Sequence, residues 1–165
     1  MSTFQEQKEN LFREIQKLHE RNELANHVSL DYYEPGMMEY LEQSEGLYNE
    51  VTGDILLRFE ARGTRYDGRT EQIEKVKLGA EIQVVREKTN PFNPNNYMLL
   101  TKRGRNVGNM PAELCNAIAP LYDEGCLVFE EAKVSFVEPI SKRSRYAKQA
   151  ILFVELKCKL KEIRG

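Results

Sequence analysis

The sequence lacks the short motifs by which common classes of nucleotide-using and hydrolytic enzymes are recognised. It contains no GxxxxGK[ST] phosphate loop, no GxGxxG after a strand and no GxSxG nucleophile turn. Its two histidines, His19 and His27, are eight residues apart, which is not the four-residue spacing at which helical histidines share a metal ion. These absences predict a protein that is not an enzyme and has no catalytic residue, metal site or cofactor.

Cysteine and long apolar runs are also scarce. Cys115, Cys126 and Cys158 are odd in number, lie far apart and form no CxxC pair, which argues against a disulfide framework and against a zinc site. No apolar run approaches the length of a membrane span, and the N-terminus has neither a basic region nor an apolar core of a signal peptide. We therefore expect a cytoplasmic protein with reduced thiols and no membrane partner.

Charge is divided unevenly along the chain. Residues 1–53 contain four lysines and arginines against eleven aspartates and glutamates, a net charge of −7, whereas residues 54–165 contain twenty against fifteen, a net charge of +5. Such asymmetry suggests two units with different partners, although solvated surfaces alone would also explain it. We predict an acidic extension at 1–53 and a β domain at 54–165.

The extension has the apolar spacing of two helices. Leu11, Ile15 and Leu18 share one face of the first helix, which begins near Phe4 and runs to about Leu24. After the Pro35-Gly36 turn, a second helix is predicted from Met37 to about Tyr48. Because this pair cannot form its own core, we expect it to pack against the rest of the chain or to bind a protein partner or a second copy.

From Asp54 the apolar period becomes that of strands. The segments ILLRFEARG, QIEKV, EIQVVREK, YMLLTKRG and RNVGNM are predicted strands, followed by a helix over PAELCNAIAPLYDEG and two longer strands, CLVFEEAKVSFVEP and AKQAILFVELKCKL. Turn signals about every ten residues favour an α+β fold, with a small, strongly bent antiparallel sheet or barrel and one main helix.

Three loops of this domain combine cations with glycine or tyrosine: RGTRYDGR at 62–69, KRGR at 102–105 and KRSRY at 142–146. Cations that follow phosphates and aromatic rings that stack on unpaired bases bind single-stranded nucleic acid. Taken singly, each loop is better explained by solubility. Three of them in one small domain favour an anionic ligand.

The residues from about Leu57 to Leu160 resemble the HIRAN domain family in three ordered blocks. GTRYDG at 63–68 is similar to the family's G-x-R-Y-x-G start, and LGAEIQVVREKTNPFNPNN at 78–96 is similar to its core block around R-E-p-x-N-P-Y-D. GRNVGNMPAELCNAIAPLYDEG at 104–125 is similar to its helix block. The resemblance implies an OB-like antiparallel β-barrel that binds DNA, particularly the 3′-hydroxyl end of a single strand.

By the same resemblance, Arg65 would contact phosphate, Tyr66 would stack on a terminal base, and Phe92 would keep the stacking face of the family's tyrosine. Asn93 replaces an aspartate, so its amide oxygen would accept a hydrogen bond from a 3′-hydroxyl without charge. Lys102, Arg103 and Arg105 complete the predicted basic and aromatic rim.

The core block also has structural interpretations. Arg86 and Glu87 would form a pair across the sheet, Asn90 and Asn93 would hold turns, and Phe92 would plug one end of the barrel. The sequence thus supports two hypotheses: a non-enzymatic module that binds single-stranded DNA or DNA ends, or a protein-interaction module that keeps the fold without nucleic-acid binding.

Overall fold

The structure is a computed structural model that describes residues 3–27, 47–49 and 51–163. The helices and strands follow in chain order: α1 (Phe4–His27), β1 (Leu47–Tyr48), β2 (Asp54–Glu60), α2 (Arg69–Ile73), β3 (Ile82–Glu87), β4 (Asn96–Thr101), β5 (Asn106–Asn109), α3 (Ala112–Asp123), β6 (Leu127–Glu138) and β7 (Ile151–Leu160), with a 3₁₀ turn at Ile140–Lys142. Across these described ranges, no helix is both long and apolar enough to cross a membrane.

Helix α1 is part of the main core. The Thr3 hydroxyl accepts a hydrogen bond from the Glu6 N–H at 3.2 Å and so caps its first turn. Leu11, Ile15 and Leu18 are buried in the same hydrophobic cluster as the sheets, and the helix packs on α3. The apolar stripe of α1 is therefore covered by the chain itself.

The predicted second helix lies mostly outside the described residues. Its last two residues are described, and they form β1 rather than helix, since Leu47 pairs with Leu56 and Tyr48 with Ile55. The prediction of a helix up to Tyr48 is therefore wrong at that end, because the backbone of these two residues completes the edge of a sheet.

The described strands form two antiparallel sheets, one in the order β1-β2-β7-β6 and one in the order β3-β4-β5. In β2 every second residue is buried, whereas the central strand β7 is buried along most of its length. Isolated bridges between Arg62 and Asn109 and between Glu81 and Lys133 join the two sheets. The α+β prediction is confirmed at this level, and closure into an OB-like barrel stays a prediction.

The predicted strand QIEKV is wrong. Its first residues belong to α2, which follows Gly68 in the left-handed conformation (φ 76°). The Thr70 hydroxyl donates to the Thr64 carbonyl oxygen at 3.1 Å, and Ile73 is fully buried. A five-residue segment with one buried side chain does not distinguish strand from helix by its pattern, so tertiary contacts decided its form.

Helix α3 supports the site described below. Leu114, Ile118 and Leu121 make its buried face, as the sequence predicts. Pro111 is the residue before the helix rather than its first residue, and Gly125 ends the helix in the left-handed conformation (φ 81°).

Candidate nucleic-acid interface

The loop GTRYDG connects β2 to α2 and turns sharply. Gly63 has φ 68°, and a Cβ there would lie 2.8 Å from Nη1 of Arg69, which donates a hydrogen bond to the Gly63 carbonyl oxygen at 2.9 Å. Thr64 is buried, and its hydroxyl donates to the Ala150 carbonyl oxygen at 3.1 Å. The loop is thus fixed from within, while the next two residues, Arg65 and Tyr66, are exposed.

Arg65 and Tyr66 form a stacked pair. The Arg65 guanidinium carbon lies 4.9 Å from the centroid of the Tyr66 ring, and Nη2 of Arg65 donates to the Tyr66 hydroxyl at 2.6 Å. Half of Tyr66 (51%) is exposed. This pair combines a cation with an accessible aromatic face, the two groups that contact phosphate and base in a single strand.

The asparagine-rich loop between β3 and β4 is held by its own side chains. Oδ1 of Asn90 accepts hydrogen bonds from the backbone N–H groups of Phe92 and Asn93, both at 2.9 Å, and Nδ2 of Asn90 donates to Glu87 at 2.7 Å. Oδ1 of Asn93 accepts from the Asn95 N–H at 3.0 Å. The predicted turn-holding roles of Asn90 and Asn93 are confirmed.

Phe92 lies at the tip of this loop and is 96% exposed. The interpretation of Phe92 as a plug for the barrel end is therefore wrong. Full burial of a phenylalanine contributes about 1.5–3 kcal/mol of hydrophobic stabilisation. Because Phe92 is exposed, it adds almost none of this to the stability of the fold. The backbone around Phe92 is nevertheless fixed by the Asn90 side chain, so the ring is presented on an ordered support.

Two contacts join this loop to α3. Nδ2 of Asn93 and Nδ2 of Asn95 both donate to Oδ1 of Asn116, at 3.1 and 3.2 Å. The amide group of Asn93 is thus committed to the support of the loop. Its oxygen holds one hydrogen bond and has a second lone pair with which it can accept another.

Arg86 also joins this loop to α3. It donates two hydrogen bonds to Asp123, at 3.1 and 3.0 Å, and one to the Pro94 carbonyl oxygen at 2.5 Å. The expected Arg86–Glu87 pair is therefore wrong: neighbouring strand residues point to opposite faces, so the two side chains have different partners. The hydrogen bonds to Arg86 lower the pKa of Asp123, and the same pairing raises the pKa of Arg86.

Asn96 and Asn109 connect the two loops. Asn96 is buried, and its Nδ2 donates to Glu87 at 2.8 Å and to Oδ1 of Asn109 at 3.1 Å. The backbone of Asn109 exchanges two hydrogen bonds with Arg62, at 2.8 and 2.9 Å, directly before GTRYDG. Through these bonds, the loop that carries Arg65 and Tyr66 and the loop that carries Phe92 and Asn93 are anchored to neighbouring strand ends, and we call these four residues the aromatic face.

Lys102, Arg103 and Arg105 lie elsewhere. They belong to the turn between β4 and β5, at the opposite end of β4 from the asparagine-rich loop. Six residues separate the two ends of β4, which is about 17 Å at the usual strand rise. The sequence grouped all seven residues into one rim, and the structure divides them into two sets.

The predicted rim omits a second Arg–Tyr pair, which lies in the third basic loop, at 142–146. Nη2 of Arg145 donates to the Tyr146 hydroxyl at 2.8 Å, its guanidinium carbon lies 4.9 Å from the ring centroid, and Tyr146 is 75% exposed. Its loop lies beside GTRYDG, since Ala150 accepts the bond from Thr64. The repeated Arg-Tyr dipeptide was the signal that could have identified it.

The thiols of the described part of the chain lie in its interior. All three cysteines are buried and free, and burial raises the pKa of Cys115 to about 11 and also raises that of Cys158. Thiols with such pKa values stay protonated at neutral pH. Among residues 3–27, 47–49 and 51–163, no group of three or more potential ligands could hold a metal ion.

Three solved structures are similar to this chain. The crystal structure of the HIRAN domain of human HLTF is 22% identical with a TM-score of 0.48 and covers 67% of this chain and 82% of its own. A Lactobacillus plantarum protein is 18% identical with a TM-score of 0.50, over 65% of this chain and 99% of its own. The NMR structure of the HLTF HIRAN domain in its DNA-bound conformation is 21% identical with a TM-score of 0.44, over 65% and 76%.

Among proteins with curated descriptions, no significant sequence match was found. The family model of the HIRAN domain, in contrast, matches residues 55–155, which is well over half of the chain and includes both loops of the aromatic face. The chain belongs to the HIRAN domain family.

Proposed function

We propose that this chain is a non-enzymatic module that binds single-stranded DNA, in particular its 3′ end, through the aromatic face. The observation that carries the proposal is Phe92, which is 96% exposed on a loop whose backbone is fixed by hydrogen bonds. An aromatic ring held in solvent on an ordered support is suited to stacking on a base, because little conformational entropy is lost on binding.

The other three residues of the aromatic face supply the remaining groups that a single strand needs for binding. Arg65 provides a cation for phosphate, Tyr66 a second stacking surface, and Asn93 an oxygen with one lone pair left to accept a hydrogen bond from a 3′-hydroxyl. The family connection supports DNA as the ligand, since the HIRAN domain of human HLTF has a DNA-bound conformation. We further propose that the two sheets form an OB-like barrel, closed at the Arg62–Asn109 and Glu81–Lys133 bridges.

Fluorescence anisotropy with labelled single strands tests the proposal. Strands with a free 3′-hydroxyl should bind at low salt more tightly than the same strands with a blocked 3′ end. Arg65→Ala and Tyr66→Ala should each weaken binding, by about 1–3 kcal/mol per lost stacking contact in the case of Tyr66. Binding of neither strand would refute the proposal, whereas binding that both substitutions leave unchanged would place the interface on another surface.

The rival hypothesis is a protein-interaction module, and one observation favours it. The side chain of Asn93 already makes two hydrogen bonds within the loop and to α3, which limits its use for a ligand, and an exposed aromatic ring also serves as an anchor at protein interfaces. Co-purification of a protein partner that depends on Phe92, without nucleic acid in the sample, would support this hypothesis over the first.

A further inference from the structure

A groove of about 600 Å³ lies apart from the aromatic face, between the segment after α2 and the β4–β5 turn. Five of its eleven lining residues are cationic: Lys75, Lys77, Lys102, Arg103 and Arg105. Glu81 is the one carboxylate among the lining residues. Around this groove, cationic side chains therefore outnumber carboxylates by five to one.

Within the described ranges, these five cations form no ion pair with a carboxylate. Among the described residues, the lysines of the four-stranded sheet are paired, for example Lys157 with Glu131 at 3.4 Å and Lys159 with Asp54 at 3.8 Å. All five groove cations are exposed. Unpaired cations around a concave surface focus a positive potential on it.

Both walls of the groove are fixed by hydrogen bonds. On one side, the Gly79 N–H donates to Val134 at 2.8 Å, and the Val134 N–H donates to Ala80 at 2.8 Å. On the other side, Nε2 of Gln83 donates to the carbonyl oxygens of Thr101 and Lys102, at 3.0 and 3.2 Å. The cations thus project from backbone that is held by hydrogen bonds on both sides of the groove.

We infer that this groove binds the phosphodiester backbone of the same single strand whose end the aromatic face holds. The inference rests on the proposed function and adds Lys75 and Lys77 to the interface. The groove contributes charge but no exposed aromatic ring, so it contacts phosphates rather than bases. Helix α2 lies between the two surfaces: it begins just after Tyr66, and Gln72 in its last turn lines the groove.

The distance between the surfaces predicts a dependence on strand length. The two surfaces lie toward opposite ends of β4, which are about 17 Å apart, so a strand must be several nucleotides long to reach both. A strand of about two nucleotides reaches only the aromatic face, whereas one of about twelve nucleotides, within the site sizes of single-strand-binding modules, reaches both.

The test compares the double variant Lys75→Gln/Lys77→Gln with Lys157→Gln/Lys159→Gln, which removes the same charge from β7. For the longer strand, the groove variant should lose affinity, and the slope of log K against log salt should become shallower by about 1.4, since each phosphate contact in a single strand contributes about 0.7. The β7 variant should keep the wild-type slope. Neither double variant should change the affinity for the short strand. That affinity is measured by competition of the unlabelled short strand against the labelled long strand.

The outcomes separate the two proposals. If the groove variant keeps the wild-type salt slope and binding still depends on Phe92, the inference that the groove binds DNA is refuted. The proposal that the aromatic face binds DNA would then still stand. If the groove variant has a shallower slope and binding does not depend on Phe92 or Tyr66, the groove binds DNA and the proposed role of the aromatic face is refuted. Equal losses in the groove and β7 variants would show an effect of net charge alone and overturn the groove, and absence of binding at every length would overturn both.

Discussion

At the scale of single residues, Asn93 shows how a ligand-binding role and a structural role share one side chain. Its Oδ1 accepts a hydrogen bond from Asn95, and its Nδ2 donates to Asn116. The resemblance implies that an aspartate is usual at this position. The asparagine stabilises the loop, because a carboxylate could not donate a hydrogen bond to Asn116. It lacks, however, the negative charge that would strengthen a hydrogen bond from a 3′-hydroxyl.

The substitution Asn93→Asp should therefore trade stability for end recognition. We expect a loss of about 1 kcal/mol of unfolding free energy from the broken bond to Asn116. Affinity for a strand with a 3′-hydroxyl should rise about fivefold, corresponding to about 1 kcal/mol from a charge-assisted hydrogen bond, and affinity for a 3′-phosphate should fall because like charges repel.

Asn95→Asp is the matched control, since Asn95 donates to the same oxygen of Asn116. It should lose similar stability without the gain for the 3′-hydroxyl. Anisotropy and urea denaturation measure the two effects. If both variants changed the preference for a 3′-hydroxyl over a 3′-phosphate equally, the proposed contact between Asn93 and the 3′ end would be refuted.

At the scale of elements, Arg86 joins β3, the asparagine-rich loop and the C-terminal end of α3. Its guanidinium group binds Asp123 through two hydrogen bonds and the Pro94 carbonyl oxygen through a third, and it lies 5.4 Å from the centroid of the Tyr97 ring. This arrangement holds the base of the loop that carries Phe92. A cation at the end of α3 is also favoured by the helix dipole.

This link predicts a specific pH dependence. The pKa of Asp123 is lower in the folded chain than its usual value, so its contribution to stability is present above the usual pKa and is lost as the pH falls through the lowered one. Asp123→Asn should reduce the unfolding free energy by about 1–2 kcal/mol at neutral pH. The difference from wild type should shrink as the pH falls below about 4. Urea denaturation across this pH range measures it, and a difference that stays constant with pH would show that the carboxylate charge has no role.

The limits of prediction from sequence are clearest at this scale. Helix α3 was predicted because its apolar spacing is long and its end is marked by Gly125, and both signals are local. The strand predicted at QIEKV was wrong because five residues are too few for a period to distinguish helix from strand. The Arg86–Asp123 pair spans 37 positions, and the sequence contains no pattern that joins them.

The sequence predicts which loops carry the candidate site, but it does not predict how those loops are arranged in space. The similarity to the family's blocks identifies GTRYDG and NPFN, and the structure connects their strand ends through Asn96 and Asn109. The placement of the 102–105 turn at the other end depends on the length and direction of β4, which only the strand pairing reveals.

At the scale of the whole molecule, α1 and the β domain share one hydrophobic core. Leu11 is fully buried among residues of the sheets and α3, although the charge pattern suggested a separate acidic unit. The division at residue 53 stays a prediction. A binding partner through α1 would have to use its exposed face, since Leu11, Ile15 and Leu18 are covered within the chain.

This shared core predicts that Leu11→Ala destabilises the entire protein. We expect a loss of about 2–5 kcal/mol of unfolding free energy, because a buried leucine leaves a cavity when it is truncated. Lys17→Ala on the exposed side of α1 should change it by less than about 0.5 kcal/mol. Denaturation monitored by far-ultraviolet circular dichroism, to which α1 contributes strongly, and by tyrosine fluorescence should give coincident transitions. Unfolding of α1 before the sheets would show that the extension is an independent unit.

The most direct test of the aromatic face is the affinity of Phe92→Ala for a single strand with a free 3′-hydroxyl, measured by anisotropy together with the thermal stability of the same sample. Because Phe92 is 96% exposed, the substitution should leave stability within about 0.5 kcal/mol of wild type. Affinity should nevertheless fall by about 1–3 kcal/mol, the value of one base–aromatic stack. Unchanged affinity in a fully folded Phe92→Ala protein would contradict the account.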